Sequence, residues 1–506
     1  MRELKTVAPE ELGLASPVFF MEKKKQVRQP GAVGTRHKKV LGSLREAIKT
    51  SGLKDGGTIS FHHGFRDGDK IITLVVNELA AMGFKNLTLA SSSLSDCHAP
   101  LIEHIKSGVI GKIFTSGMRG KLGQAISAGL MREPVHIHSH GGRVHLIQTG
   151  EISIDVAFLG VPCCDVLGNA NGTGGKSRCG SLGYAMVDAQ YAKHVVLLTE
   201  EIVPYPNTPR SIRQDQVDAI VQVDEVGDPT RISSGATRIT KNPRELLLAR
   251  WTAEVVKKSG YLENGFSMQM GTGGASLAVA PFLQGEMEKR GIKAAFALGG
   301  ITGHMVRLHE LGLIDKLLDT QCFDGEAAGS IGRNPNHLEI STNEYANPSS
   351  KGASVTQLDF VILSALEVDL DFNVNVITGS DGVFRGASGG HSDTAEGAAL
   401  SIIVAPLVRG RIPTVVDRVT TIVTPGSTVD VLVTDHGIAV NPARQDIRTR
   451  LEEAGLPVAT VEQLRDRAVL LTGKPAPLPF TDRIVGVIRC RDGSVIDVVR
   501  QIGSLE

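Results

Sequence analysis

Three features of the sequence predict an α/β fold of two similar open domains. Glycine fills 57 of the 506 positions while aromatic residues make up only 4%, a balance that suits tight strand-to-helix turns better than an all-β sandwich. From Gly57 the chain follows a rhythm of short apolar run, glycine-rich turn and helix. Near Pro243 that rhythm restarts, so the second half repeats the first in outline. The length exceeds what one ordinary core supports. The expected partition is an N-terminal arm over 1–50, a first α/β domain over 51–242 and a second over 243–506.

Residues 1–50 are polar and basic, with Arg36-His37-Lys38-Lys39, and read as an extended arm or a partner-docking segment. Thr58-Ile59-Ser60-Phe61 is then a strand, Gly64 and Gly68 mark the turn, and Ile71, Leu74, Val75 and Leu79 recur at helical spacing. The apolar runs Leu87–Ala90, Ile113–Thr115, Val156–Leu159 and Val195–Leu198 suit a parallel sheet covered on both faces. After Pro243 a helix is predicted through Leu246 to Lys257, then a strand over Phe266–Met270 and the turn Gly271-Thr272-Gly273-Gly274. Strands over Ala294–Ala297, Phe360–Leu366, Ser401–Val404 and Val429–Val433 complete the second unit, and Pro475 to Pro479 loosens the C-terminal end. The cleft between the two domains is the expected site.

Lys plus Arg and Asp plus Glu both number 54, so no net field favours nucleic acid or an anionic membrane. Six cysteines without a C-x-x-C pair argue against a disulfide framework or a zinc ribbon and for a reducing cytoplasm. Neither a signal peptide nor a membrane span is apparent in the sequence.

Ala170 to Ser177 fits a relaxed phosphate-loop pattern, but the glycines Gly180 and Gly183 interrupt the segment that should be helical, leaving at most a backbone anion nest. His136, His138 and His140 alternate and would share one face of a strand, yet no carboxylate or cysteine nearby completes a metal site, and no metal is expected. Glu367, Asp369 and Asp371 also alternate. Three carboxylates on one face repel, so that face is either wet or holds one carboxylate for its charge. Close behind come Gly379-Ser380-Asp381-Gly382 and Gly386-Ala387-Ser388-Gly389-Gly390-His391-Ser392-Asp393, a run able to turn several N–H groups towards one oxygen. A carboxylate beside such a loop is what exchange between a thioester and a carboxylate needs, because attack places negative charge on the carbonyl oxygen. Gly271 to Gly274 is a second candidate for the same duty, with an ordinary tight turn as the alternative.

Ser139-His140-Gly141-Gly142-Arg143, Gly168 to Gly172, Cys179 to Ala185, Tyr345-Ala346-Asn347-Pro348, Ser364 to Val376 and Gly379 to Asp393 resemble the CoA-transferase superfamily and, within it, the citrate lyase alpha subunit family. The resemblance covers nearly the whole chain and implies two CoA-transferase-like domains of the NagB/RpiA type. It implies a citrate:acetyl-acyl-carrier-protein transferase, converting acetyl carrier protein and citrate to citryl carrier protein and acetate, after which a beta subunit cleaves the citryl thioester to oxaloacetate. The thiol is expected on a phosphoribosyl-dephospho-CoA group carried by the gamma subunit, with no cofactor on this chain, although CoA or acetyl-CoA could bind in its place. An oligomer is expected. Related enzymes acylate a glutamate, and Glu263 in Glu263-Asn264-Gly265 competes with Glu367 for that match; Glu367 is preferred, acting as nucleophile or, if exchange is direct, as an orienting group. Gly389 and Gly390 are the expected oxyanion donors. His140, Arg143, Gly273, Gly274, Arg385 and His391 are the expected substrate contacts, arginine being suited to a tricarboxylate. Rival readings are a transferase for free CoA thioesters of another short acid, a non-catalytic sensor, and a sugar-phosphate isomerase on the same kind of fold.

Overall fold

Runs of apolar residues buried on both faces become the central strands of two mostly parallel sheets. The computed structural model describes residues 38–233, 240–271 and 273–503. The first sheet runs in the order Val40–Leu41, Ala219–Gln222, His194–Val203, Val156–Asp165, Thr58–Phe61, Leu87–Ser91, Ile110–Thr115, Val135–Ile137, Phe480–Arg489, Val495–Ile502. The second runs His337–Glu339, Ile314–Cys322, Ala294–Ile301, Phe266–Met270, Phe360–Ser364, Leu400–Val404, Val431–Thr434, Gly437–Val440, Val458–Ala459. Apart from the edge strand Val40–Leu41 and the closing hairpin, the first sheet starts in its middle and lays three strands to one side and then three to the other; the second starts at Phe266–Met270, lays three to one side and then five to the other, the last two being Gly437–Val440 and Val458–Ala459. The repeat expected from the restarted rhythm is therefore real at the level of topology, and the α/β class holds.

Local chemistry explains the elements. Val156–Asp165 is buried at every position, as a strand covered by helices on both faces must be. Helix Ile71–Ala81 buries Ile71, Ile72, Val75, Val76 and Leu79 along one stripe, each contributing about 1.5–3 kcal/mol of burial. Helix Pro243–Ser259 opens with the Asn242 side chain accepting from Arg244 N, has proline in its first turn and stops at Gly260 with φ 92°, a left-handed conformation that glycine adopts without penalty. No helix among the described residues is long and apolar enough to cross a membrane.

Three departures from expectation matter. Residues 1–37 of the expected arm lie outside the described residues, but Val40–Leu41 pairs with Ala219–Gln222 and Leu44–Thr50 is a helix capped by Ser43, so the end of that segment belongs to the first sheet. The last two strands, expected with the second half, return to the first sheet, where Phe480–Arg489 pairs with Val135–Ile137 and covers what would be an open edge. The predicted strand Phe360–Leu366 ends at Ser364, and Glu367–Val368 folds back against Val374–Asn375. Asp369 closes that turn by accepting from the N–H groups of Asp371 and Asn373, and Phe372 takes φ 62°. The three carboxylates are thus not a repelling row on one strand.

Candidate functional site

In open parallel sheets, ligands sit beyond the carboxyl ends of the strands where the strand order reverses. In the first sheet that point lies between Thr58–Phe61 and Val156–Asp165, and in the second between Phe266–Met270 and Phe360–Ser364. Just past Phe61 comes His63, and past Ile137 the chain turns through Ser139 into the helix His140–Gln148. Helix Gly183–Tyr191 brings in Tyr184. The three rings form a cluster: Tyr184 lies 4.8 Å from both His63 and His140, and the imidazoles are 5.9 Å apart, centroid to centroid. His63 is oriented by Ser92, whose hydroxyl bonds its Nδ1 and accepts from its backbone N–H.

The second half closes over this cluster. Its loop from Gly386 to Gly390 docks on the strand ends of the first sheet: Met118 N donates to Gly386 O, Ser388 N to Ser116 O at 2.7 Å, and His140 N to Gly389 O at 2.8 Å. Gly389 needs to be glycine for its φ of 55°, and Gly390 for space, since a Cβ there would sit 2.3 Å from the Tyr345 hydroxyl. That hydroxyl in turn accepts from Gln269 Nε2 at 3.0 Å. Gln321, at the end of Ile314–Cys322, donates to His63 O at 2.8 Å. Phe323 lies under the Arg66 guanidinium at 4.8 Å, and Arg66 itself holds left-handed backbone with φ 53°, a strain that persists where the surroundings demand it.

Burial decides the protonation states. His140 is pushed down to about 3 by burial and by neighbouring Arg143, and His63 falls well below the ordinary histidine value through burial, His140 and Arg66, so both imidazoles are neutral. Burial keeps the Tyr184 and Tyr345 hydroxyls protonated. Arg66 is lowered to about 10 by burial and then by the adjacent Arg119. Arg119 is lowered by burial against the opposing pull of Asp96 and Asp67, so the Arg66 guanidinium beside neutral rings is the cation best suited to meet an anion here. Among the described residues, His140 Nδ1, His138 Nε2, Thr302 Oγ1 and Ser392 Oγ are buried without a hydrogen-bond partner.

Of the residues expected from the sequence, His140, Gly389 and Gly390 come together here. The others do not. Arg143, just 1% exposed, is committed to Asp188 through two bonds of 2.5 and 2.9 Å, and also donates to Ala90 O, so its charge anchors the first sheet rather than a substrate. Arg385 is half exposed and pairs with Asp381 in its own turn. His391 donates from Nε2 to Ser364 O and accepts from Thr424 at Nδ1, and burial lowers it to about 4. Gly273 and Gly274 line a separate cavity of about 350 Å³ with Arg244 and Arg409, beside Ser364; Thr272 lies outside the described residues. Glu263 is exposed in a surface pair with Arg290. Glu367 is buried, but its two oxygens accept from Thr420 N, Thr420 Oγ1 and Asn375 Nδ2 at 2.7, 3.0 and 2.9 Å, and it lines a cavity of about 860 Å³ with Thr420, Thr421, Arg418, Arg465 and Asp497.

The remaining motifs resolve into structure. The segment after Ala170–Asn171 is no phosphate loop, because the N–H groups of Thr173 and Gly174 point at the Asn171 side chain and no helix follows directly. His136 stacks on Phe114 at 4.6 Å, while the strand ends at Ile137, so the three alternating histidines do not converge. One buried trio, Asp319, Cys322 and His337, has its ligand-type atoms close together; there the thiol and His337 Nε2 both bond Asp319 Oδ2, at 2.8 and 3.0 Å. His63, Arg66, Tyr184, Gln269 and Tyr345 escaped the sequence reading as site residues, although Tyr184 and Tyr345 lie in the stretches that carried the resemblance.

The family model for citrate lyase, alpha subunit (CitF), matches residues 37–502. The citrate lyase alpha chain of Klebsiella pneumoniae is 70% identical over 467 residues, covering 92% of each chain. That of Escherichia coli K12 is 66% identical over 483 residues, 96% of this chain and 94% of its own. Among solved structures, a Streptococcus mutans protein described as an alpha subunit of citrate lyase in complex with citrate superposes with a TM-score of 0.91 at 55% identity, covering 96% of each chain. A Pseudomonas malonate decarboxylase hetero-tetramer contains a chain that shares the fold, with a TM-score of 0.65 at 16% identity and 86% coverage of both.

Proposed function

The chain belongs to the citrate lyase alpha subunit family, and from that membership we propose that the cleft of His63, His140, Tyr184 and the Gly389–Gly390 loop is where citrate replaces acetate on the carrier thiol. The activity is citrate:acetyl-acyl-carrier-protein transfer, exercised within a multi-subunit citrate lyase. The partners of the reading are a gamma subunit that presents the thioester on its phosphoribosyl-dephospho-CoA arm and a beta subunit that cleaves the citryl product.

A citrate carboxylate attacks the acetyl thioester carbonyl, and the tetrahedral oxyanion collapses to a mixed anhydride with release of the thiolate. The thiolate then attacks the citryl carbonyl of the anhydride, and acetate leaves. Each step builds charge on a carbonyl oxygen, and in this reading the N–H groups of Gly389 and Gly390 receive it. Arg66 and Arg119 hold the remaining carboxylates of citrate, and the neutral His63 and His140 add hydrogen bonds without competing for the proton of an acid. Glu367 takes no covalent part in this reading, because three donors, from Thr420 and Asn375, hold its carboxylate in place.

The observation that carries the proposal is the meeting of the glycine loop of one half with the neutral histidine pair of the other. Its test uses the assembled complex with acetyl carrier protein and isotopically labelled acetate. Citrate-dependent release of labelled acetate is expected, with no hydroxylamine-sensitive adduct on any glutamate by mass spectrometry. Exchange that proceeds through an acylated Glu367 would overturn the direct route.

A further inference from the structure

A ring of hydrogen bonds joins the two halves directly behind the proposed reaction site. Asp393 is completely buried, in the first turn of the helix His391–Gly397 that follows Gly390. Its Oδ1 accepts from Ser139 Oγ at 2.7 Å and its Oδ2 from Gly141 N at 2.9 Å, across 254 and 252 residues of sequence. Ser139 Oγ also accepts from Gly142 N and so caps the helix that begins at His140. The ring closes through His140 N, which donates to Gly389 O. A Cβ on Gly141 would come within 2.7 Å of Asp393 Oδ1 and 2.0 Å of Ala346 O, so the approach is possible only with glycine there.

We propose that Asp393 is a positioning residue for the exchange: by clasping Ser139 and the Gly141 N–H it fixes His140 against the Gly389–Gly390 loop at the spacing the reaction needs. This rests on the reading that the loop and His140 form the exchange site. Asp393 does not touch the reacting atoms, and its effect passes through the two elements it joins. An error of about 1 Å between such groups is enough to cost about a hundredfold in rate.

The clasp is also sensitive to protons. Burial pushes the Asp393 carboxyl up to about 6, against the opposing pull of Arg491, the Gly141 N–H and Ser139. The charged and titratable groups around it are Arg491 from the C-terminal hairpin, whose Nε lies 3.6 Å away, Glu396 on its own helix, which pairs with Arg491, and the neutral His140, Tyr184 and Tyr345. Protonation replaces an acceptor with a donor facing donors. The clasp therefore weakens progressively as pH falls through about 6.

The test measures acetate release by the assembled complex carrying Asp393→Asn or Ser139→Ala, with kcat, KM for citrate and the pH profile of each. In Asp393→Asn, kcat falls about a hundredfold while KM for citrate stays within about threefold, and the acid limb near pH 6 disappears. Ser139→Ala keeps the Gly141 bond and falls about tenfold in kcat, with its acid limb retained. Wild-type kcat in either variant, or an unchanged acid limb in Asp393→Asn, overturns the proposal. Should Asp393→Asn not fold, the Ser139→Ala result alone decides. A wild-type complex that releases no acetate on addition of citrate condemns the site reading rather than the clasp.

Discussion

Two buried places in this molecule hold polar groups for opposite purposes. The cavity beside Glu367 is roomy, at about 860 Å³, yet its carboxylate is bonded by three donors and ties one hairpin to the Thr420 segment. The cleft between the halves holds neutral imidazoles, an Arg66 guanidinium lowered by burial and by Arg119, and a buried His140 Nδ1 without a partner among the described residues. A buried polar atom without a partner costs about 1–3 kcal/mol, so His140 Nδ1 is a group for which the proposed ligand would supply the missing bond.

The contrast can be broken most directly at the loop. Gly390→Ala places a methyl group 2.3 Å from the Tyr345 hydroxyl and should lower kcat for acetate release about a hundredfold or more, with a near-native circular dichroism spectrum. Arg66→Ala should weaken citrate binding about ten- to a hundredfold by calorimetry, the value of one lost charge-assisted bond; an unchanged affinity would move the anion site elsewhere. Glu367→Gln should cost about 1–3 kcal/mol in unfolding free energy while turnover stays within about threefold. A collapse of turnover without loss of stability would make the Glu367 cavity the catalytic one.

The smallest effect sharpens the comparison through pH. Burial holds His138 at about 3 and His391 at about 4, below the value of 6.5 expected when unfolded. The unfolded chain therefore binds protons that the folded one refuses, and stability is lost as pH falls below 6.5, by about 1.4 kcal/mol per histidine per pH unit at most. Chemical denaturation at pH 7.5 and 5.5 would measure it, and a flat profile would mean that these rings take up protons in the fold.

Much of the architecture was legible because buried parallel strands announce themselves as apolar runs. Phe266–Met270 was bounded correctly at both ends, and Thr58–Phe61 likewise. The closing hairpin was not legible, since Phe480–Arg489 is exposed over its first half and carries Asp482 and Arg483 where an apolar run would be looked for. In the proposed site, the need for glycine at 389 and 390 was legible because a close backbone approach demands glycine wherever it occurs. Arg143 misled, because its partner Asp188 lies 45 residues away and a buried ion pair leaves no local pattern. Glu367 misled for a nearer reason: alternation implied a continuous strand, and the turn at Phe372 is visible only in the backbone. His63 and Tyr184 gave no local signal; their roles arise from which strand and helix ends the topology brings together.

The hairpin that completes the first sheet also sets the order of assembly. Gly486 pairs with Val135, a residue made roughly 350 positions earlier. At ribosomal speeds of about 5–20 residues per second, the Val135–Ile137 edge waits roughly 20–70 seconds for its neighbour. Throughout that interval an unpaired strand edge stands ready to bond the wrong chain. Production of active protein is thus a race between elongation and self-association, won more often when nascent chains are few or a chaperone shields that edge.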